Sequence, residues 1–471
     1  MISSPTQPSV KETANKKPRI EPERTKVAGS TYNEKPDLAP TRPRRSGHPL
    51  SIKPWGNYYL TRCPTSPGSD TTSSPLAFRS ATLGPFRHWE DQMILDFLEQ
   101  YLSASELAVM QRVSRGLYAL ARYDELWRKL TIQDFQGEFF FDSTWRQTYR
   151  RCYLDQHKLP ADHVTDTNIS CINFYSDALF NTWHLATQDL ASLGRRQRGK
   201  PIPRRACLSV SEFIEQYERP GLPVILTDVV TQWPAYQKWT PEFFLKLYGS
   251  VKFQAEAVQI TFEKYWRYAA TQTLDEAPLY LFDKCFADSC PELVADFQVP
   301  EYFSEDLFQV LTKPPPSSLS TPPVIRPGES SCATRPDYRW IIIGPQRSGS
   351  TFHKDPNATS AWNAVITGRK KWIMFPPECV PPGVFTNADQ SEVTSPVSLM
   401  EWFQNYYQQV TPYTESSSRQ RFGGHPSCKP GNSRKGAYEG VCETGEVIFV
   451  PQGWWHCVLN LDDSIALTQN Y

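Results

Sequence analysis

The sequence predicts an α+β protein in which a small all-α module precedes an antiparallel barrel of the jelly-roll type. Three observations carry this prediction: a polar segment over residues 1–82, a helical pattern over 86–130, and a run of short strands from Tyr338 onward. Short strands that are separated by turn residues, with no helices between them, are typical of antiparallel barrels and jelly rolls.

The N-terminal region, residues 1–82, is rich in Pro, Ser, Thr and charged residues and contains few large apolar side chains before Trp55. Such a segment cannot bury enough apolar surface to offset the entropy of ordering. We therefore expect residues 1–82 to be disordered. The segment Ile52–Cys63 is an exception, because its aromatic residues can dock on the folded part of the protein.

The overall charge is balanced, since 50 Lys and Arg residues face 50 Asp and Glu residues. No global field draws the protein toward nucleic acid or an anionic membrane, so neither partner is indicated. Three basic clusters are nuclear addresses or, as we favour, solvated linkers. They comprise Lys16, Lys17 and Arg19; Arg42, Arg44 and Arg45; and Arg195, Arg196, Arg198 and Lys200.

The eleven cysteines are scattered, and none forms a C-x-x-C pair. This pattern argues against a structural zinc site and against a secreted disulfide framework. We therefore predict an intracellular protein, nuclear or cytoplasmic or both. The polar N-terminus shows no signal peptide, and no apolar run reaches membrane-spanning length, so no membrane association is expected.

Residues 83–132 form the predicted helical module. Ile94, Leu95 and Leu98 lie on one apolar stripe, and Ser103 and Glu106 have the spacing of a capping box that starts the next helix. The module resembles an F-box in three places, although the usual Leu-Pro opening is absent. The matching stretches are the helix that ends in Tyr101-Leu102, the step Val113-Ser114-Arg115, and the closing Asp124-Glu125-Leu126-Trp127.

An F-box implies a partner, the Skp-family adaptor of a cullin ubiquitin ligase, bound through residues 86–130. The alternative is a generic helical bundle that caps the next domain, since resemblance of fold alone does not establish function. Residues 133–200 are rich in aromatic side chains and read as a helical connector between the module and the barrel.

Residues 201–471 contain the predicted barrel. The glycine in Thr367-Gly368-Arg369 suits a tight hairpin turn. Residues 313–337 and 413–440 are polar and read as surface loops. The strands are expected at 338–343, 361–367, 370–375, 446–450, 457–461 and 464–470.

Three possible metal ligands lie in this barrel. His353 and Asp355 are two residues apart, so on a strand their side chains point the same way, and His456 follows 103 residues later. Two imidazoles and one carboxylate on one face of Fe(II) leave open coordination positions. Such a site can hold a bidentate organic acid and still admit O2, which predicts an oxygenase. Taken alone, the pair His353 and Asp355 is also compatible with two solvated surface residues.

Polar residues in neighbouring strands support the prediction. Lys370 follows the hairpin turn and, if it points inward, needs a partner such as a carboxylate. Asn363 and Thr468 lie in otherwise apolar strands, where a polar side chain that faces the interior must be hydrogen-bonded. The alternative is that Lys370 is a surface lysine and that the other two residues face outward.

The stretches 353–364, 370–372 and 445–470 resemble the Jumonji-C (JmjC) family of Fe(II)- and 2-oxoglutarate-dependent oxygenases. The closest branch is the former phosphatidylserine-receptor group of lysyl hydroxylases and arginine demethylases. The resemblance extends from about Ile202 to Tyr471 and includes the segment Ala277–Asp283. It implies a double-stranded β-helix, the cupin fold, with Fe(II), 2-oxoglutarate as cosubstrate, and O2.

The resemblance also implies roles for single residues. His353, Asp355 and His456 would bind iron, and Lys370 would pair with the far carboxylate of 2-oxoglutarate. The cosubstrate would also be hydrogen-bonded by Tyr280, Asn363 and Thr468, and by Ser350, where similar sequences carry a hydroxyl residue.

Three functions are compatible with these residues. The first is a protein hydroxylase or demethylase, with lysine hydroxylation favoured. The second is an F-box receptor that links a client to the ubiquitin ligase, with the barrel as a binding module. The third is a cupin that acts on a small molecule or a nucleic acid.

Overall fold

Two packed β-sheets and a large helical layer make up the part of the chain that the computed structural model describes. The described residues are 47–56, 75–160, 168–306, 336–390, 392–395, 397–413 and 436–471. Residues 47–471 form a single compact unit. Among the described residues, no helix is long and apolar enough to cross a membrane.

Most helices precede the barrel strands. The α-helices are α1 (Pro75–Leu83), α2 (Asp91–Tyr101), α3 (Ala104–Met110), α4 (Arg115–Ala121), α5 (Asp124–Phe135), α6 (Trp145–Gln156), α7 (Asp177–Ala186), α8 (Leu190–Arg195), α9 (Val210–Phe213), α10 (Pro234–Lys238), α11 (Pro241–Tyr248), α12 (Phe262–Thr271), α13 (Phe286–Ser289) and α14 (Leu399–Asn405). A π-helical turn, Ile214–Glu218, continues α9. Short 3₁₀ helices cover Gly84–His88, Val230–Gln232, Pro291–Asp296, Glu301–Phe303, Pro356–Ala358 and Tyr407–Gln409.

The strands build two main sheets and a small ribbon. They are β1 (Lys200–Pro201), β2 (Arg204–Arg205), β3 (Val224–Leu226), β4 (Lys252–Ala255), β5 (Val258–Thr261), β6 (Leu281–Asp283), β7 (Arg339–Gly344), β8 (Gly349–His353), β9 (Ala361–Thr367), β10 (Lys370–Phe375), β11 (Phe385–Thr386), β12 (Val393–Thr394), β13 (Tyr438–Cys442), β14 (Val447–Val450), β15 (Trp455–Asn460) and β16 (Ser464–Asn470). The large sheet has the order β2-β3-β14-β9-β16-β7-β6-β4-β5, the small sheet β1-β13-β10-β15-β8, and the ribbon pairs β11 with β12.

The two main sheets pack face to face, as expected for the predicted jelly roll. Apolar side chains from both sheets, such as Val365 and Ile448 of the large sheet and Trp372 and Val458 of the small sheet, form one cluster between them. Because helices also cover the outer faces, β9 and β10 are buried on both sides and show no alternation of polar residues. The α+β jelly-roll prediction is confirmed.

The hairpin between β9 and β10 depends on the predicted glycine. Gly368 has φ +87°, a region that favours glycine. A Cβ atom there would lie 2.4 Å from the backbone oxygen of Asp463. This tight turn places Lys370 at the start of β10.

The helices pack on the outer faces of the barrel. α2 to α5 correspond to the predicted helical module, and Ser103 and Glu106 form the expected capping box. One apolar cluster extends from this module into the large sheet. Trp145 strengthens the junction, because its indole nitrogen donates to Asp275 over 2.9 Å. The boundaries 83–132, 133–200 and 201–471 stay predictions, since this shared core crosses them.

The expectation that residues 1–82 are disordered was wrong for two segments, because residues 47–56 and helix α1 are folded. Ile52 is buried in the main core, and Lys53 pairs with Tyr175, which agrees with the exception made for Ile52–Cys63. The segments 1–46 and 57–74, and thus residues 57–63, lie outside the described residues.

The predicted surface loop 413–440 was also wrong at its end, because Tyr438–Cys442 forms β13 inside the small sheet. The strand β13 looks polar in the sequence because it contains Glu439, whose side chain is buried against Lys371. Residues 414–435 lie outside the described residues, as do residues 313–335 of the other predicted loop.

Candidate metal centre

Two histidines face each other at one end of the small sheet. His353 ends β8, and His456 is its partner in the antiparallel register with β15. The ring centroids lie 4.2 Å apart. A bulge inserts one extra residue in β8 between Ser350 and His353, because the partner strand advances by only two residues, from His456 to Val458. The bulge therefore turns Ser350 and His353 to the same face of the sheet.

Gly349 permits the close approach of β8 to β15 that this pairing needs. A Cβ atom at this position would lie 1.9 Å from the backbone oxygen of Val458. Since real Cβ contacts never come so near, only glycine lets β8 begin here without moving the strand. Gly349 thereby fixes the approach of the strand that carries His353.

Both imidazoles are oriented by backbone carbonyls. The Nδ1 atom of His353 lies 2.7 Å from the carbonyl oxygen of Thr351, and the Nδ1 atom of His456 lies 3.1 Å from that of Trp454. A carbonyl oxygen can only accept, so each Nδ1 carries the proton. When such a ring is neutral, its Nε2 atom is free to bind a metal, as is usual for ligating histidines.

Asp355 completes the cluster. It follows β8 by two residues, and its Oδ1 atom lies 3.9 Å from Nε2 of His456. Each of the three residues offers one ligand atom, and these atoms lie within 4.8 Å of one another. The other oxygen, Oδ2 of Asp355, is buried without a hydrogen-bond partner. A buried carboxylate oxygen without a partner, beside two nitrogen lone pairs, fits a divalent cation.

The electrostatics of the cluster agree with this fit. Burial raises the pKa of Asp355, against the opposing effect of the His353 imidazole. Burial, reinforced by His353, holds the pKa of His456 well below its ordinary value. His456 is therefore neutral, the form that binds a metal, and a bound cation would restore the ionised form of Asp355.

A buried lysine lies deeper in the same barrel. Lys370 is fully buried, and its Nζ atom donates to the hydroxyl of Tyr280 over 2.7 Å and to Oδ1 of Asn460 over 2.9 Å. Burial lowers the pKa of Lys370 to about 7, partly offset by the neighbouring Cys442. An ammonium group in such a position has a strong need for an anion.

Asn363 and Thr468 lie on the opposite sheet. They are partners in the register of β9 with β16, so their side chains share one face. Oδ1 of Asn363 is buried without a partner, and the hydroxyl of Thr468 donates to the backbone oxygen of Trp362 over 2.8 Å. Asn363 thus offers an unsatisfied acceptor next to a hydroxyl.

The structure brings the predicted site residues together in two groups. His353, Asp355 and His456 converge, and Tyr280 contacts Lys370. The pair Asn363 and Thr468 and the residue Ser350 are placed by strand register, and among the hydrogen bonds of the described residues none joins them to either group.

Sequence reasoning missed Asn460, which contacts Lys370, and Ser348, which contacts Asn460. Alternation from His456 through Val458 to Asn460 was the signal that could have found Asn460. The ring of Trp372 stacks near that of His456, with the two ring centroids 5.8 Å apart.

Comparisons with known proteins agree with this barrel. A profile of the cupin-like domain family matches residues 246–471. An Arabidopsis thaliana protein named arginine-specific demethylase JMJ22 is 40% identical over 420 residues, which cover 89% of this chain and 72% of that protein.

Two other relatives are more distant. A Caenorhabditis elegans protein named bifunctional arginine demethylase and lysyl-hydroxylase psr-1 is 32% identical, over 56% of this chain and 59% of its own length. A human protein named 2-oxoglutarate and iron-dependent oxygenase JMJD4 is 26% identical, over 57% of this chain and 60% of its own length.

The fold and the convergence of His353, Asp355 and His456 define a cupin-type barrel with a candidate metal centre. The extent of the match to the Arabidopsis protein is decisive. The chain belongs to the cupin-like JmjC family of iron- and 2-oxoglutarate-dependent oxygenases. The resemblance predicted from the sequence is thereby confirmed for the barrel, and the F-box stays a prediction.

Proposed function

We propose that this protein uses Fe(II), O2 and 2-oxoglutarate to oxidise side chains of protein substrates, with lysine hydroxylation favoured and arginine demethylation as the alternative. The observation that carries the proposal is the convergence of His353, Asp355 and His456, whose ligand atoms lie within 4.8 Å of one another while Oδ2 of Asp355 is buried without a hydrogen-bond partner. When bound, iron and 2-oxoglutarate supply the oxidation: O2 is consumed, succinate and CO2 are released, and oxygen enters a substrate C–H bond.

Residues of the barrel would bind and orient this chemistry. His353, Asp355 and His456 are the proposed iron ligands. Lys370 would pair with the far carboxylate of 2-oxoglutarate. Tyr280, Asn363, Thr468 and Ser350 would also donate hydrogen bonds to the cosubstrate, whose carboxylate and keto oxygens can only accept.

The spacing between the lysine and the histidine supports this arrangement. Met374 is the register partner of His456, and Lys370 lies four residues earlier in the same strand. At roughly 3.3 Å per residue the two rows are about 13 Å apart along the sheet. Alternation puts Lys370 on the face that carries His456, so both rows face the space in which a dicarboxylate would bind.

Two aromatic rings support a cationic substrate side chain. Trp340 is the register partner of Thr468, so it faces the barrel interior. Phe282 packs 5.6 Å from Trp340 and is 38% exposed. Aromatic faces attract lysine and arginine cations. Two relatives are named for acting on arginine or lysine, which agrees with such a substrate.

The proposal is tested by succinate release from 2-oxoglutarate in the presence of Fe(II) and proteins that co-purify with the full chain. Mass spectrometry then seeks changes of about +16 Da for oxygen insertion and about −14 Da for methyl loss. His353→Ala should abolish the release of succinate and any mass change of the co-purifying proteins. Equal turnover by this variant would overturn the proposal. Turnover without any modified protein would favour the small-molecule or nucleic-acid alternative.

We propose the Skp-family adaptor of a cullin ubiquitin ligase as a partner of residues 86–130. Exposed apolar side chains in this module favour an interaction surface, since Met93, Val109 and Val113 are 53%, 60% and 62% exposed. Ile94, Leu95 and Leu98 are buried inside the module, so they hold its fold together and cannot meet an adaptor.

A pull-down of purified adaptor with the full chain tests this partner. Val113→Asp should abolish the interaction, whereas Leu247→Asp, at an exposed residue of α11, should leave it unchanged. Failure of the unaltered chain to bind would remove the adaptor from the account and leave the oxygenase proposal intact.

We also propose an intracellular location, nuclear or cytoplasmic. Eight cysteines of the described chain are free thiols, for example the exposed Cys207 and Cys285, which suits a reducing compartment. Fractionation of cells that produce the tagged chain would decide between nucleus and cytoplasm, and recovery in the secretory pathway would contradict the proposal.

A further inference from the structure

Lys370 is surrounded by neutral partners. Its Nζ atom donates to the Tyr280 hydroxyl and to the Asn460 amide oxygen, and among the described residues no carboxylate accepts from it. By contrast, the buried Lys371 does have a carboxylate partner, Glu439. The barrel thus holds the Lys370 ammonium in place without neutralising it.

A directional chain of hydrogen bonds fixes the Asn460 amide. The Ser348 hydroxyl lies 2.6 Å from the backbone oxygen of Pro345, which can only accept, so the hydroxyl donates to it. The same Oγ atom then accepts from Nδ2 of Asn460 over 2.9 Å. The amide oxygen of Asn460 is consequently turned toward Lys370.

This series of hydrogen bonds is rigid, because Asn460 and Ser348 are buried and are also joined through their backbone atoms. Asn460 is fully buried and Ser348 is 2% exposed. The backbone nitrogen of Asn460 donates to the backbone oxygen of Ser348 over 2.9 Å, and the backbone nitrogen of Arg347 donates to the backbone oxygen of Asn460 over 2.8 Å. The orientation of the Asn460 side chain is therefore set before any cosubstrate arrives.

We infer that Asn460 and Ser348 are positioning residues, which aim the Lys370 ammonium at the far carboxylate of 2-oxoglutarate while keeping it free of a competing anion. The inference rests on the proposed function, in which Lys370 binds that carboxylate. An amide serves this role where a carboxylate would not, because an aspartate at position 460 would itself pair with the lysine.

The charge of Lys370 gives a second readout. Burial lowers its pKa to about 7, and the titratable groups that face it are Cys442, which opposes this shift, and Tyr280, whose own pKa burial raises. A dicarboxylate binds the charged lysine, so above the lowered pKa each binding event must take up a proton. The affinity for 2-oxoglutarate should then fall about tenfold per pH unit between about pH 7 and 9.

The test is calorimetric titration of 2-oxoglutarate into the full chain with Mn(II), across this pH range, beside the KM and kcat of succinate release. Asn460→Asp should weaken binding at pH 7 by about tenfold or more and flatten the pH dependence, because the new carboxylate keeps Lys370 charged. Ser348→Ala should raise the Kd and KM for 2-oxoglutarate about three- to tenfold, with kcat unchanged at saturation.

Ser464→Ala is the matched control, because this variant also removes a buried hydroxyl, one that has no partner. Mn(II) affinity reports that each variant is folded. If Asn460→Asp does not fold, Ser348→Ala decides alone. Binding by Ser348→Ala that equals that of the control, or an unchanged pH slope in Asn460→Asp, would overturn the inference. A failure of the unaltered chain to bind 2-oxoglutarate would instead overturn the proposed function.

Discussion

The buried ion pair of Lys371 and Glu439 gives a stability prediction that can be worked out atom by atom. Glu439 is fully buried, and Lys371 is 1% exposed. One carboxylate oxygen of Glu439 accepts from Nζ of Lys371 and from the Tyr407 hydroxyl. The other accepts from the backbone nitrogens of Arg198 and Gly199, each over 2.7 Å. The pair thus ties the connector to the small sheet.

Glu439→Gln removes the charge and nearly preserves the shape. The amide has only one oxygen that can accept hydrogen bonds. Whichever way the amide turns, its NH2 group faces donors, either Lys371 and Tyr407 or the backbone nitrogens of Arg198 and Gly199. Lys371 keeps one acceptor, the backbone oxygen of Arg196 over 2.7 Å. Breaking a buried pair in this way costs about 3–5 kcal/mol of unfolding free energy.

Lys371→Met should cost a similar amount, because it leaves a buried carboxylate. The double variant, Lys371→Met with Glu439→Gln, should be at least as stable as the less stable of the two single variants. Both charges are removed in it, so no buried charge is left without a partner. Asp337→Asn is the control: its ion pair with Lys284 spans 2.7 Å, but both side chains are about half exposed, so about 0–1 kcal/mol should be lost.

Urea unfolding followed by tryptophan fluorescence measures these differences, with similar slopes required of all variants. A loss below about 1 kcal/mol for Glu439→Gln would contradict the reasoning, because Glu439 would then behave as an exposed pair does. Additive losses in the double variant would contradict it as well, since they would show that the two charges do not stabilise one another.

Three further predictions concern the site. Gly349→Ala should lower Co(II) affinity by about tenfold or more in a spectroscopic titration, because its Cβ atom forces β8 away from Val458; unchanged affinity would contradict the role of the close approach. Trp372→Leu should weaken Co(II) binding by about tenfold, since the ring that packs on His456 is lost; equal binding would mean that the ring does not orient the ligand. Thr468→Val should raise the KM for 2-oxoglutarate about three- to tenfold with little change in unfolding free energy; an unchanged KM would remove Thr468 from the cosubstrate site.

The convergence of the proposed metal ligands was predictable from the sequence, because their geometry is local or follows from alternation. His353 and Asp355 are two residues apart, and the strand periods around His456 predicted a barrel that returns it to them. The bulge in β8 was not predictable, since it depends on how β15 approaches Gly349.

Features that depend on distant partners escaped the sequence analysis. Lys370 and Lys371 point to opposite faces of β10 by strand alternation, but nothing in the local sequence indicated that Lys371 is also buried, where its Nζ atom donates to the backbone oxygen of Arg196. Glu439 gave its strand the appearance of a polar loop for the same reason. The folding of residues 47–56 was foreseen only as a possible docking of Ile52–Cys63, because their partners, such as Tyr175, lie far along the chain.

The central claim is that His353, Asp355 and His456 hold one ferrous ion. The most direct test is an anaerobic titration of the metal-free full chain with Fe(II), with the bound metal counted by elemental analysis after gel filtration. We expect one equivalent in the unaltered chain and an affinity at least about a hundredfold lower in Asp355→Ala. One equivalent bound equally well by Asp355→Ala, or no iron bound by the unaltered chain, would contradict this claim.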